Sequence, residues 1–93
     1  MSPTALSPSE VSSRLASLRN WQNKGGELVR TFEFSDFRAA LAFVNKVGDL
    51  AEAAGHHPDI DIRYNKVWLA LVTHDAGGLT AKDFDLAGQI DKA

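Results

Sequence analysis

Three histidines occur in the 93 residues, and all three lie between Glu52 and Asp83: His56, His57 and His74. An imidazole titrates near pH 6.5, so it can both give and take protons close to neutrality. A packed fold has no need of two adjacent histidines followed by a proline, with a third at the end of an apolar run. The types and placement point to proton transfer. Pro58 biases His57 toward extended backbone, where neighbouring side chains point to opposite sides. His56 and His57 are therefore not expected to converge on one atom, and no metal site is expected. There is no cysteine, which excludes thiolate chemistry and cysteine-ligated zinc.

Carboxylates and aromatics flank the histidines. Glu52 precedes His56 by one helical turn, where it can orient an imidazole or bind a ligand; an exposed helix carboxylate would do neither. Asp83 stands three residues after Thr80, the spacing of a capping box, with Asp in place of Glu. Trp21 and Trp68 can stack on a flat ring or serve as core or interface aromatics. Tyr64 is expected in the core.

Composition narrows the function classes. The formal net charge is −2 and 44% of residues are hydrophobic, enough apolar surface for one core. No basic excess is present to hold a phosphate backbone, so no nucleic-acid partner is expected. The N-terminus carries no positive, apolar leader, and no apolar run approaches membrane-spanning length. One cytoplasmic domain over 1–93 is expected, with 1–6 a flexible tail.

The elements that must position the histidines follow from local signals. Ser7-Pro8-Ser9-Glu10 reads as a capping box opening a helix to about Leu18. Gly25-Gly26 separates two strand-like runs, a hairpin signal. In the second run Leu28, Phe32 and Phe34 share a face that Arg30 interrupts, its charge at a strand end or snorkelling outward. A long helix is expected from Asp36 to Ala54, with Phe37, Leu41, Val44, Val47 and Leu50 at helical spacing and Ala40, Ala51 and Ala54 beside them. Gly48 interrupts it, and a close helix–helix contact would account for that residue. Gly55 suits its left-handed C-terminus. Asp59–Tyr64 and Val67–His74 form a second hairpin around Asn65-Lys66, and Thr80 opens the last helix, to about Asp91. The order α-β-β-α-β-β-α gives an α+β fold, a four-stranded antiparallel sheet. Antiparallel pairing returns His74 to the end of the hairpin where His56 and His57 begin it.

Glu52-x-x-x-His56-His57-Pro58, Tyr64-Asn65-Lys66-Val67, Leu71-x-Thr73-His74, Gly78-Leu79-Thr80 and Asp83-x-x-Leu86-Ala87-x-x-Ile90 together resemble the pterin-4a-carbinolamine dehydratases, over roughly Trp21 to Ile90. The resemblance implies three helices on one face of the sheet, a homodimer formed by sheet extension, and in some members a homotetramer. It implies metal- and cofactor-free dehydration of 4a-hydroxytetrahydropterin, a product of aromatic amino acid hydroxylases, to quinonoid dihydropterin. An acid must protonate the leaving hydroxyl and a base must take a ring-nitrogen proton, which two imidazoles of opposite protonation can do. Carried over, His56, His57 and His74 are catalytic. Glu52, Trp21, Pro58, Thr73 and Asp83 form the substrate-binding and supporting set. Gly55 and Val72 depart from the polar residues some members carry there.

Two other readings compete. The family also includes a cofactor of a homeodomain transcription factor, and distant relatives resemble assembly chaperones, so a non-catalytic dimerisation or assembly module is the alternative. Loss of the histidines would favour it, and here they are intact. Nucleic-acid binding on the uncovered sheet face is disfavoured, because Val29, Thr31, Glu33, Trp68, Ala70 and Val72 include no basic cluster.

Overall fold

The computed structural model describes residues 4–93. Local signals set most element boundaries. Ser7 caps α1 (Pro8–Leu15): its N–H donates to Glu10 Oε1 (2.9 Å), and its hydroxyl accepts the Glu10 N–H (3.2 Å). Hydrogen bonding from Ser7, its backbone N–H foremost and its hydroxyl second, holds the Glu10 carboxyl below its ordinary pKa. The helix ends at Leu15, short of the expected Leu18. The chain tightens there through i→i−3 bonds from Ser17, Leu18 and Trp21, which suit a turn and not a continuing α-helix. Leu18 still packs on the core.

Strands β1 (Gln22–Lys24) and β2 (Glu27–Glu33) pair with Lys24 opposite Glu27. Gly25 and Gly26 alone fill that turn, at φ 60° and 81°, and two consecutive positive φ values are what a tight hairpin of this twist requires. Helix α2 (Phe37–Ala54) is capped by Asp36, whose carboxylate accepts the Ala39 N–H at 2.8 Å. Strands β3 (Asp59–Arg63) and β4 (Lys66–Leu71) enclose the two-residue turn Tyr64-Asn65. The sheet is antiparallel, in the order β1-β2-β4-β3. Helix α3 (Ala81–Asp91) completes the α-β-β-α-β-β-α succession.

Val67, Leu69 and Leu71 of β4 are fully buried with Leu28 of β2, against Val11, Val47, Leu86 and Ile90 from the three helices. The opposite sheet face carries the partly exposed Trp68. Arg30 reconciles its charge with the inner face by lying 4.1 Å over the Phe32 ring and donating to Asp91 Oδ1 at 2.6 Å.

Several expectations are corrected. The buried stripe of α2 is Ala40, Phe43, Val47 and Ala51, while Phe37 and Leu41 are 45% and 39% exposed. Small alanines let the helix backbone approach the core, and that rotates the larger pair outward. A Cβ on Gly48 would meet nothing within 4 Å, so no close helix contact in this chain explains that glycine. Tyr64 is 66% exposed at φ 52°, because it occupies the turn and not the core. β4 stops at Leu71; beyond it Thr73 makes an isolated bridge to Gly78, and His74–Ala76 forms a 3₁₀ turn. Of the expected 1–6 tail, residues 1–3 lie outside the described residues. Leu6 is anchored, its N–H donating to Leu79 O at 2.8 Å and its side chain packing on the core. No helix among the described residues is long and apolar enough to cross a membrane.

Candidate active site

The end of α2 fixes the first histidine. Gly55 takes φ 62°, and the His56 N–H reaches back to Ala51 O at 3.1 Å. This is the pattern of a Schellman C-cap. It places the His56 backbone rigidly at the mouth of the β3–β4 hairpin. The bend after β4 brings in Thr73 and His74. The two segments enclose a cavity of about 330 Å³, walled by His56, His57, Thr73 and His74 together with Gly55 and Val72. That volume is at the lower end for small-molecule sites.

The two adjacent imidazoles have different partners. His56 is largely buried, and its Nε2 lies 2.5 Å from Asp83 Oδ1. His57 pairs through Nε2 with Glu52, both side chains mostly exposed at 61% and 78%. A polar contact in that much solvent holds its members loosely. His74 is exposed, without a side-chain hydrogen-bond partner among the described residues. No group of three or more histidine, aspartate or glutamate side chains among those residues is arranged to hold a metal ion.

Asp83 is fully buried beneath the cavity wall. Its Oδ2 accepts the Thr73 hydroxyl at 2.8 Å and the Thr80 N–H at 2.9 Å. The capping box at the start of α3 is therefore also the floor of the histidine site. A capping aspartate normally faces solvent; here the bend that carries Thr73 closes over it.

The cavity thus gathers His56, His57, His74 and Thr73 directly, with Glu52 and Asp83 reaching it through the imidazoles they hold. Thr73 differs from a substrate-binding group, because its hydroxyl hydrogen is spent on Asp83. Pro58 follows His57 in the chain but is not part of the cavity wall. Trp21 is elsewhere: it is buried in the core, and its indole N–H donates to Asp91 Oδ1 at 2.8 Å. A buried indole needs such an acceptor, and Asp91 already receives Arg30. Asp75 and Lys82 also line the cavity, and no sequence motif points to them. The available signal for Lys82 is its position in the first turn of the helix that Thr80 caps.

A second depression, of about 360 Å³, lies on the open sheet face between Thr31, Asp61, Arg63, Lys66 and Trp68. It is apolar at its base and mixed in charge at its rim, and it contains no histidine. All three histidines lie at the first cavity.

The family described as pterin 4 alpha carbinolamine dehydratase matches residues 4–93. A protein of Acidobacterium capsulatum, provisionally named pterin-4-alpha-carbinolamine dehydratase, is 64% identical over 86 residues, covering 92% of this chain and 94% of its own. One from a Roseiflexus species with the same provisional name is 60% identical over 89 residues, 96% of each chain. Among solved structures, a transcriptional coactivator/pterin dehydratase from Brucella melitensis superposes with a TM-score of 0.92 at 32% identity, covering 96% of this chain and 97% of that one. A pterin dehydratase-like protein identified as a RuBisCO assembly factor in the alpha-carboxysome is more distant. Its TM-score is 0.64 at 27% identity, covering 77% of this chain and 83% of that one. With a full-length match on top of the shared sheet order and helix placement, the chain belongs to the pterin-4a-carbinolamine dehydratase family.

Proposed function

We propose that this chain dehydrates 4a-hydroxytetrahydropterin to quinonoid dihydropterin, a hydro-lyase reaction in pterin recycling beside an aromatic amino acid hydroxylase in the cytoplasm. The observation that carries the proposal is the 330 Å³ cavity walled by three imidazoles. Elimination breaks the C4a–OH bond and removes one proton from a ring nitrogen. A protonated imidazole supplies the proton with which the hydroxyl leaves as water, and a neutral one takes the ring proton. His56, His57 and His74 are the groups for these roles. No group in the reaction changes oxidation state, so no cofactor is needed.

The test is direct turnover of enzymatically generated carbinolamine, followed by absorbance. Dehydration faster than the buffer rate is expected, and it is expected to survive exhaustive EDTA because His56 and His57 are held by separate carboxylates. Activity lost to EDTA and restored by zinc would overturn the acid–base assignment. A folded protein with no activity would favour the non-catalytic reading, which the likeness to the RuBisCO assembly factor keeps in view.

Assembly belongs to the same proposal. β1 and β3 are the edges of the sheet, and an unpaired edge can be extended by a second copy. Light scattering at micromolar concentration is expected to give at least the mass of a dimer. A stable monomer would remove the homo-oligomer from the proposal.

A further inference from the structure

The histidine cavity leaves Trp68 unused. Trp68 lies on β4, an inner strand, on the sheet face that the helices leave open, and it is 39% exposed. Strand register sets its surroundings. Thr31 of β2 and Asp61 of β3 flank it in one row across the sheet. In the next row on that face, Lys66 lies between Glu33 and Arg63. Thr31, Asp61, Arg63, Lys66 and Trp68 wall the hollow of about 360 Å³, a volume within the range of small-molecule sites. It shares no residue with the histidine cavity.

The charges in this hollow do not cancel. Arg63 donates through Nε and Nη2 to the two oxygens of Asp61, at 3.4 and 3.5 Å, so that pair is neutral as a unit. The other ion pairs among the described residues are Arg30–Asp91, His56–Asp83 and His57–Glu52. Lys66 belongs to none of them. Glu33, its neighbour across the strands, makes no ion pair with it and does not wall the hollow. One ammonium therefore remains beside an accessible indole. A single cation is too few for a phosphate backbone, and it matches one carboxylate. An indole is a broad platform for offset stacking by another flat ring.

We propose that this hollow binds a planar aromatic carboxylate, with its ring stacked on Trp68 and its carboxylate on Lys66. Asp61 holds Arg63, and the neutral pair closes the far wall. A cationic or uncharged aromatic ligand gains the stack but not the ion pair. The site is separate from the dehydration chemistry and does not depend on it.

The test is a titration of the nitrogen-15-labelled full chain with 2-naphthoate, followed by NMR. The Trp68 indole N–H and the amides of Thr31, Asp61 and Lys66 are expected to shift, and those of His56 and His74 are expected to stay. The uncharged 2-naphthalenemethanol is expected to bind roughly threefold more weakly at low ionic strength, the size of an exposed charge pair. Added salt is expected to erase that difference, and so is Lys66→Gln. Trp68→Thr, which keeps a strand-forming side chain, is expected to raise the Kd for 2-naphthoate roughly tenfold, the size of one lost ring stack. Equal binding of the two probes to the parent at low ionic strength overturns the proposal, as do shifts confined to the histidine cavity. Those arms need no variant to fold. An indole N–H that moves with protein concentration without ligand, and a mass in light scattering that falls in Trp68→Thr, would mean that a second copy covers the face, and would also overturn it. Carbinolamine turnover enters none of these measurements, so failure of the dehydratase reading leaves this site to be decided by its own titration.

Discussion

Replacing Asp83 by alanine is expected to destabilise the domain by about 3 kcal/mol, the largest stability loss of any single polar substitution in the chain. Truncation removes the acceptor for the Thr73 hydroxyl, the Thr80 N–H and the His56 ring at once. Thr73 and Thr80 are themselves buried. Each buried donor left without a partner costs roughly 1–3 kcal/mol, reduced where water can enter the space vacated. The helix start also loses half of its capping box. At roughly 4–8 °C per kcal/mol for a domain of this size, the melting midpoint is expected to fall by more than 10 °C. Thermal unfolding followed by circular dichroism checks this. A variant that melts within 2–3 °C of the parent, about half a kcal/mol on that scale, would mean that the buried network contributes little and that water substitutes for the carboxylate freely.

This substitution also shows why parts of the site are legible in the sequence and parts are not. The capping boxes at Ser7–Glu10 and Thr80–Asp83, the glycine turn at 25–26 and the left-handed Gly55 are read from neighbours within a few residues, and the structure has them all. Antiparallel pairing returns the chain to the end of the hairpin where His56 and His57 lie, and the bend after β4 then brings in His74. What is not legible depends on contacts far apart in the chain. Trp21 is fixed by Asp91, 70 residues away, so its indole reads equally as a stacking platform or a core aromatic until the end of α3 is placed beside it. In α2 two stripes of apolar residues compete. The one that wins contains Ala40 and Ala51, because close approach of the backbone outweighs the larger area of Phe37 and Leu41. Thr73 reads as a strand residue facing substrate. Its hydroxyl instead points to Asp83, because β4 ends at Leu71 and the chain bends into the 3₁₀ turn. Lys82 and Asp75 enter the cavity wall for the same reason: the bend after β4 and the start of α3 build that wall jointly.

The largest kinetic effect is expected from removing the two histidines whose side chains are not locked in place. His57 is held only by an exposed carboxylate, and His74 has no side-chain partner among the described residues. Both side chains are exposed at the cavity. The carbinolamine dehydrates slowly without help, so the catalytic advantage is bounded, and general acid–base catalysis contributes roughly 10²–10⁴-fold. His57→Ala and His74→Ala are each expected to remove a large part of that factor. The double variant is expected to lose far less than the product of the two single losses, because groups that act as a unit cannot each be removed at full cost. His56→Ala is expected to slow turnover as well, since His56 walls the same cavity. None of these side chains belongs to the apolar core, so far-UV circular dichroism is expected to stay native for the His57 and His74 variants. His56→Ala tests more than the chemistry, because it also leaves Asp83 Oδ1 without its donor. The comparison that decides the catalytic assignment is therefore the His57→Ala, His74→Ala double variant. If it is folded and dehydrates carbinolamine as fast as the parent, the imidazoles do not carry the reaction, and the cavity is the relic of an activity in a chain that serves as a dimerisation or assembly module.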